Sequence, residues 1–352
     1  MAYQTGTATD HVDLWDKFKS FITSDPELVA ANEGWEVVWQ EDSNSGLGFA
    51  NPTDYVIRGK GLADQDNIYV ALRRDDSAVA SDVSTWYMLG ATGIIDTANA
   101  FNLHVNMTPF AVKMFTRPNP MNYWFIANGR RFIIIVQVGT VYETMYGGFF
   151  LPYADPTVYT YPMLIGGSCG SGGNFESVSH TSVSSDHTAF CYPSYNPSGS
   201  MAYNPSAWML DPAGNWLRCG IDVTATTPIH IGPRFFGQGL GIGANISPTT
   251  YSLKWGYEDI SKREGELYGG GYAMTPFTLV QASPSDQTYG VLDGVYRVSG
   301  RGQSVLNILQ ADNSLHVVFQ NTFRTALGEW FAVTRGAEDS NSAFIATEES
   351  NS

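Results

Sequence analysis

Cysteine is scarce in this sequence: Cys169, Cys191 and Cys219 are the only three among 352 residues. An odd and sparse set of cysteines does not make a disulfide framework, which small secreted domains build from an even and denser set. We therefore expect a protein made in a reducing cytoplasm and held together by its core.

Basic residues are also few, with 19 Lys and Arg against 34 Asp and Glu and a net charge of −15. Adjacent basic residues occur only in pairs, such as Arg73-Arg74 and Arg130-Arg131. Nucleic-acid binding needs clustered basic side chains, so this balance argues against a nucleic-acid partner. Acidity does favour solubility and slows indiscriminate self-association.

Long hydrophobic runs are missing. The longest, Phe132 to Val138, is interrupted by Gln137 and is far shorter than the roughly 20 residues of a membrane-spanning helix. The opening residues, Met1 to Thr5, have neither a basic region nor an apolar core. We expect no membrane span and no secretory signal.

Hydrophobic residues (43%), 36 Gly and 17 Pro are typical of many short strands joined by turns. One helix is predicted near the start, where Leu14, Phe18, Phe21 and Ile22 recur at helical spacing and Thr7 and Asp10 have the spacing of a capping box. Asp25-Pro26-Glu27 then predicts the start of a second short helix. From Trp35 onward apolar residues alternate, which indicates strands.

The strongest local signal is a hairpin. Two β-forming runs, Tyr123 to Ala127 and Arg130 to Val138, flank Asn128-Gly129, a pair that favours a type I′ turn. Because Phe132 to Val136 is continuously apolar, this arm is predicted to be buried on both faces.

The sequence predicts an α+β, β-rich fold, in which an N-terminal helix packs on an antiparallel sheet and further β structure follows. We divide it into an N-terminal α+β domain (1–155), a loop-rich or small β insert (156–215), a C-terminal β-rich domain (216–335) and an acidic tail (336–352).

Three motifs suggest chemistry, and each has a plainer interpretation. Gly166-Gly167-Ser168-Cys169-Gly170 has the letters of a nucleophile elbow, but Ser171-Gly172-Gly173 does not start a helix, so a flexible glycine loop is favoured. The alternating glycines Gly237, Gly239, Gly241 and Gly243 lack the helix that follows a dinucleotide fingerprint, and they favour a glycine-rich strand instead.

A zinc site is the third possibility, because Cys169, His180, His187 and Cys191 supply two thiols and two imidazoles within 23 residues. Their spacings are irregular, so loop residues without a metal are the favoured interpretation, and convergence of the four side chains would reverse it. We predict no metal, no cofactor and no catalytic residues.

Two kinds of residue could act on a glycan or bind it. Paired carboxylates could hydrolyse a glycan, and the candidates are Asp10, Asp13, Asp16, Asp64, Asp66, Asp75, Asp76 and Asp293. The nine Trp and 19 Tyr could instead stack on sugars, although strand cores and subunit interfaces are the favoured use.

Four stretches resemble virion structural proteins of tailed phages. They are the opening M-A-Y-Q-T-G-T-A-T-D-H-V-D-L-W-D-K, the block M-N-Y-W-F-I-A-N-G-R-R-F-I-I-I-V-Q-V, the following Y-G-G-F-F-L-P-Y-A-D-P-T, and Y-G-V-L-D-G-V-Y-R-V-S-G with the later V-F-Q-N-T-F-R-T. These stretches lie in both halves of the sequence, so the resemblance covers most of the chain, and it brings no active site with it.

The resemblance implies a non-enzymatic tail or baseplate subunit, located in the virion after synthesis in the host cytoplasm. Its expected partners are other virion proteins of the tail, baseplate or fibre, and copies of itself in a three-fold or six-fold homo-oligomer. The contacts are expected mainly in 154–215 and near 237–243. The alternatives are a glycan- or receptor-binding tail module and, third, a glycan-degrading tail enzyme.

Overall fold

The computed structural model describes residues 1–41, 53–62, 64–76, 82–94, 104–170, 188–192, 206–220, 229–232, 274–281, 287–298, 304–311, 314–320 and 330–337. These residues form a β-rich fold with an N-terminal helix packed against antiparallel sheets, which confirms the predicted fold class. None of the helices in these ranges is long and apolar enough to cross a membrane.

Two helices follow the first strand: α1 spans His11–Ser24 and α2 spans Pro26–Ala30. The side chain of Asp10 caps α1, accepting hydrogen bonds from the backbone N–H groups of Val12 and Asp13. The capping box predicted at Thr7 is therefore wrong, because Thr7 lies within the first strand. The second helix begins as predicted, with Asp25 at the N-cap and Pro26 in the first turn.

The smaller sheet has six antiparallel strands. In spatial order they are β12 (Cys169–Gly170), β6 (Val112–Thr116), β5 (Ser84–Ala91), β4 (Ile68–Asp75), β3 (Thr53–Gly59) and β2 (Glu36–Glu41).

The larger sheet has 14 strands, and its first part forms the middle of the molecule. This part runs in the order β1 (Ala2–Ala8), β7 (Met121–Ala127), β8 (Arg131–Val138), β9 (Val141–Phe149), β11 (Met163–Gly167), β13 (Ala207–Leu210) and β14 (Trp216–Gly220).

The second part of the larger sheet turns back over the first. It continues through β15 (Ile229–Gly232), β16 (Thr275–Gln281), β17 (Gln287–Val298), β20 (Trp330–Ala337), β19 (Ser314–Gln320) and β18 (Ile308–Ala311), while β10 (Leu151–Pro152) pairs with β17. All described pairings are antiparallel except that of β14 with β15.

The two sheets create two cores on opposite faces of the middle strands. In the first core, Phe132, Ile134 and Val136 pack with α1 and the inner face of the six-stranded sheet. In the second core, Ile133 and Ile135 pack against strands from β16 to β20. The prediction that this arm is buried on both faces is confirmed.

The predicted hairpin is confirmed, but its turn lies one residue later. Asn128 N–H donates to Arg131 O at 3.0 Å, so Gly129 and Arg130 occupy the turn. No residue of this turn has positive φ, so the type I′ assignment is wrong. The Asn128 side chain determines the turn instead, because its Oδ1 accepts from the N–H groups of Arg130, at 2.8 Å, and Arg131, at 2.9 Å.

The segment 156–215 contributes β11, β12 and β13 to the two sheets. The glycine series at 237–243 and the tail from 338 onward lie outside the described residues.

Candidate functional site

Ser168 is not part of a nucleophile elbow. It separates β11 from β12, so the chain passes here from the large sheet to the small one without a helix. Its hydroxyl is fully buried and accepts a hydrogen bond from Thr144 N–H at 2.7 Å. The predicted flexible glycine loop is also wrong at this point, because Gly166 and Gly167 lie in β11 and Gly170 lies in β12. A Cβ on Gly167 would lie only 2.7 Å from Lys113 O. The glycines allow two sheets to approach closely.

The structure describes two members of the candidate zinc set. Cys169 lies on β12, and Cys191 is buried in the second core. His180 and His187 lie outside the described residues. No group of three or more metal-ligating side chains occurs among the residues that are described.

Several candidate carboxylates have structural partners. Asp10 caps α1, and Asp13 lies 2.5 Å from Lys17 Nζ, an ion pair that lowers the pKa of Asp13. Asp76 accepts from Ser84 at 2.8 Å and lies 3.3 Å from His11 Nε2. Asp16 and Asp64 are exposed.

Asp66 and Asp293 both bind the tip of the β7–β8 hairpin. Asp66 Oδ2 is 2.9 Å from Arg130 Nε, and Asp293 Oδ2 accepts from Arg131 Nε at 3.1 Å and from Asn128 Nδ2 at 2.9 Å. We call these five residues the hairpin-tip cluster. Asp66 lies between β3 and β4 and Asp293 lies on β17, so the cluster joins both sheets around one turn.

The backbone of the same turn is equally well connected. Asn128 O accepts from the indole of Trp35 at 2.9 Å, and Gly129 O accepts from Gly61 N–H at 2.8 Å. Such long-range hydrogen bonds fix the hairpin relative to Trp35, which precedes β2, and to Gly61, which follows β3.

A row of buried polar residues crosses the outer face of the six-stranded sheet. Neighbouring strands place these residues directly opposite one another, in the order Asp54, Arg73, Tyr87, Lys113, Cys169. The guanidinium of Arg73 forms a two-point ion pair with Asp54. Burial raises the pKa of Tyr87 and lowers the pKa of Lys113.

Sequence reasoning missed this row. Its members are spread over 116 positions, from Asp54 to Cys169, and they lie on five different strands, so no local pattern of residues marks them as a group. Only the register of five strands brings them together.

Most of the tryptophans fill cores, as favoured from the sequence: Trp15, Trp35, Trp86, Trp124 and Trp208 are all buried. An exposed apolar loop follows β9, in which Leu151 is 42%, Tyr153 65% and Val158 64% exposed. Tyr153 N–H donates to Tyr289 O at 2.9 Å, and Leu151 pairs with Val291. The loop is therefore held in place by β17 while its apolar side chains face solvent.

The second exposed apolar surface is the β18 edge, where the larger sheet ends. Leu306 and Ile308 are 40% and 45% exposed, and β18 pairs with β19 alone among the described strands. Exposed edge strands and apolar patches are where proteins contact other chains.

No protein-family model matches this sequence, and no curated protein matches it.

Proposed function

We propose that this chain is a structural subunit of a tailed-phage virion, from the tail or baseplate, that acts by assembling with other virion proteins and with copies of itself rather than by catalysis. Three-fold or six-fold symmetry is the proposed form of the homo-oligomer, and the virion is its proposed location.

One observation carries the proposal: the stretches that resemble phage virion proteins meet in the fold. The opening stretch forms β1, which pairs along its whole length with β7 from the second stretch. Leu151 and Pro152, from the third stretch, pair with β17 from the fourth. Asp293 of the fourth stretch binds Asn128 and Arg131 of the second.

The stretches that carry the resemblance therefore form neighbouring strands that contact one another, so the resemblance concerns one connected part of the fold and not four separate segments. The exposed apolar loop continues from the same framework and offers a surface for assembly.

Immunogold labelling tests this proposal. Antibodies raised against the purified chain should label the tail or baseplate of intact particles of the phage that encodes it, and a knockout of the gene should lose both the label and complete tails. Protein found only in the lysate, with purified particles unlabelled, would contradict the proposal.

A glycan- or receptor-binding tail module is the second candidate, and Tyr153 is the observation that favours it. Tyr153 is 65% exposed on a backbone held by β17, so its aromatic side chain is available to stack on a sugar. Binding of host surface glycans that is lost in Tyr153→Ala, with the fold unchanged, would support this candidate. Turnover of capsular polysaccharide, lipopolysaccharide or peptidoglycan, abolished by one carboxylate substitution, would instead indicate an enzyme.

A further inference from the structure

The β18 edge is uncharged in a strongly acidic protein. β18 (Ile308–Ala311) and its partner β19 (Ser314–Gln320) contain no Asp, Glu, Lys or Arg, and the acidic residue nearest to them in the sequence is Asp312 between the two strands, whereas the whole chain has a net charge of −15. Two copies of an acidic chain repel each other over most of their surfaces. An uncharged surface is where they can approach most closely.

The backbone of β18 has hydrogen-bonding groups that point away from β19. Val318 N–H donates to Asn307 O at 3.0 Å, and Ile308 is the partner of Val317. Hydrogen-bonded and non-hydrogen-bonded pairs alternate in an antiparallel ladder. The N–H and C=O groups of Ile308 and Gln310 therefore face outward.

Two large apolar side chains at this edge are exposed. Ile308 is 45% exposed, and Leu306, at 40%, has a φ of +70°. A leucine in the left-handed region is uncommon and strained, and such residues are concentrated at functional sites. The conformation places a large apolar side chain directly before the strand.

Two other edge strands of the sheets, β2 and β1, are better protected against pairing than β18. In β2, which ends the smaller sheet, Glu36 forms ion pairs with Arg58 and Lys60, and a bulge interrupts the register between Val37 and Trp39. Charges and bulges are the usual protection of an edge against pairing. At the opposite end of the larger sheet, β1 lies against β20, where the Arg335 guanidinium is 5.7 Å from the Tyr3 ring centre.

We propose that the β18 edge pairs with the β18 edge of a second copy of this chain, as two antiparallel strands around a two-fold axis. The contact extends the larger sheet from one copy into the next, and Leu306 and Ile308 pack across it. This inference rests on the proposed function and specifies one of its contacts. A two-fold contact of this kind can build a hexamer as three dimers.

Light scattering coupled to size-exclusion chromatography tests the contact with the full chain. The wild type is expected at a multiple of the 38.5 kDa chain mass. Ile308→Lys places two like charges across the axis and should weaken association at least about 10-fold. Val29→Lys is the matched control, because Val29 is a 58% exposed valine on α2 and its substitution should leave the mass unchanged.

Gln310→Pro is a second variant. It removes one outward N–H but no hydrogen bond to β19, because the N–H of Gln310 points away from β19, and proline is tolerated at such a position of an edge strand. It should also weaken association at least about 10-fold, with an unchanged near-ultraviolet circular dichroism spectrum to show that the fold is retained.

A wild type that stays monomeric at high concentration would overturn the proposal and favour a strand from another virion protein as the occupant. Oligomers that persist unchanged in both folded variants would place the interface elsewhere. Either result leaves the immunogold outcome unaffected, so failure of this contact is distinguishable from failure of the proposed function.

Discussion

Arg131 and Asp293 are joined by a hydrogen-bonded ion pair of 3.1 Å across 162 residues of sequence. The arginine side chain is fully buried at the start of β8, and the aspartate on β17 is 20% exposed. This pair connects the central hairpin to the part of the larger sheet that folds back over it.

Asp293→Asn is expected to lower the free energy of unfolding by about 3 kcal/mol, because it leaves a buried guanidinium without its carboxylate. Asp64→Asn is the control: Asp64 is exposed and 3.9 Å from Arg58, so its loss should cost less than about 0.5 kcal/mol. Urea denaturation of both variants measures the difference. Equal stabilities would mean that the Arg131–Asp293 pair contributes nothing to the fold.

Gly167→Ala tests the point where the chain passes between the sheets. The added Cβ would lie 2.7 Å from Lys113 O and 2.9 Å from Lys113 N, so the two sheets must separate, at a cost of about 3 kcal/mol. At Gly34 the nearest atom to an added Cβ is 3.5 Å away, and Gly34→Ala should be within about 0.5 kcal/mol of the wild type. Thermal unfolding of the two variants compares them, and similar melting temperatures would contradict the close approach at Gly167.

Lys113→Met is expected to stabilise the protein by about 1 kcal/mol at pH 7, because it removes an amine whose burial disfavours the charged form. Burial lowers the pKa of Lys113 from its ordinary 10.5, so the unfolded chain binds this proton more tightly than the folded one. The stability of the wild type should therefore rise as the pH increases through the folded-state pKa toward 10.5, and the advantage of the variant should shrink.

Urea denaturation at pH 7 and pH 10 measures this trend. Lys60→Met is the control, because Lys60 Nζ is 2.5 Å from Glu36 Oε1 and its loss should slightly destabilise the protein. A Lys113→Met variant that is less stable than the wild type at pH 7 would show that the amine has a favourable role in the fold.

Asp76→Asn should reduce stability at neutral pH and have no effect in acid. Burial alone would raise the pKa of Asp76, but hydrogen bonds from His11 and Ser84 and the charge of Arg74 lower it below the ordinary 3.8. The ionised carboxylate therefore stabilises the fold above pH 3.8, and this contribution is lost as the pH falls through the folded-state pKa.

The expected loss at pH 7 is about 1 kcal/mol, and Asp16→Asn, at an exposed position of α1, should show no such loss. Urea denaturation between pH 3 and pH 7 follows the difference between wild type and Asp76→Asn. A difference that stays constant across this range would contradict the assignment to ionised Asp76.

Local sequence signals predicted the parts of the fold that depend on neighbouring residues. Residues 132–136 are continuously apolar, which predicts that their side chains are buried alternately in two cores. Asp25-Pro26 in the same way predicts the start of the second helix. The turn lies one residue later than predicted because the hydrogen bonds of the Asn128 side chain determine its conformation, and not residues with positive φ. The hairpin-tip cluster and the row ending at Cys169 depend on strand register between distant segments, which no local pattern encodes.

The pairing of β1 with β7 also constrains the order of events during synthesis. Gln4 lies beside Tyr123, 119 residues later in the chain. At a translation rate of about 5–20 residues per second, the N-terminal segment waits roughly 10 s for its partner to leave the ribosome. The hairpin of β7 and β8 can form alone, but β1 joins it only through a large loop, which is slow to close. The β1 segment is made well before β7 and is thus among the later parts of the fold to be secured, so chaperones have an interval in which to shield it.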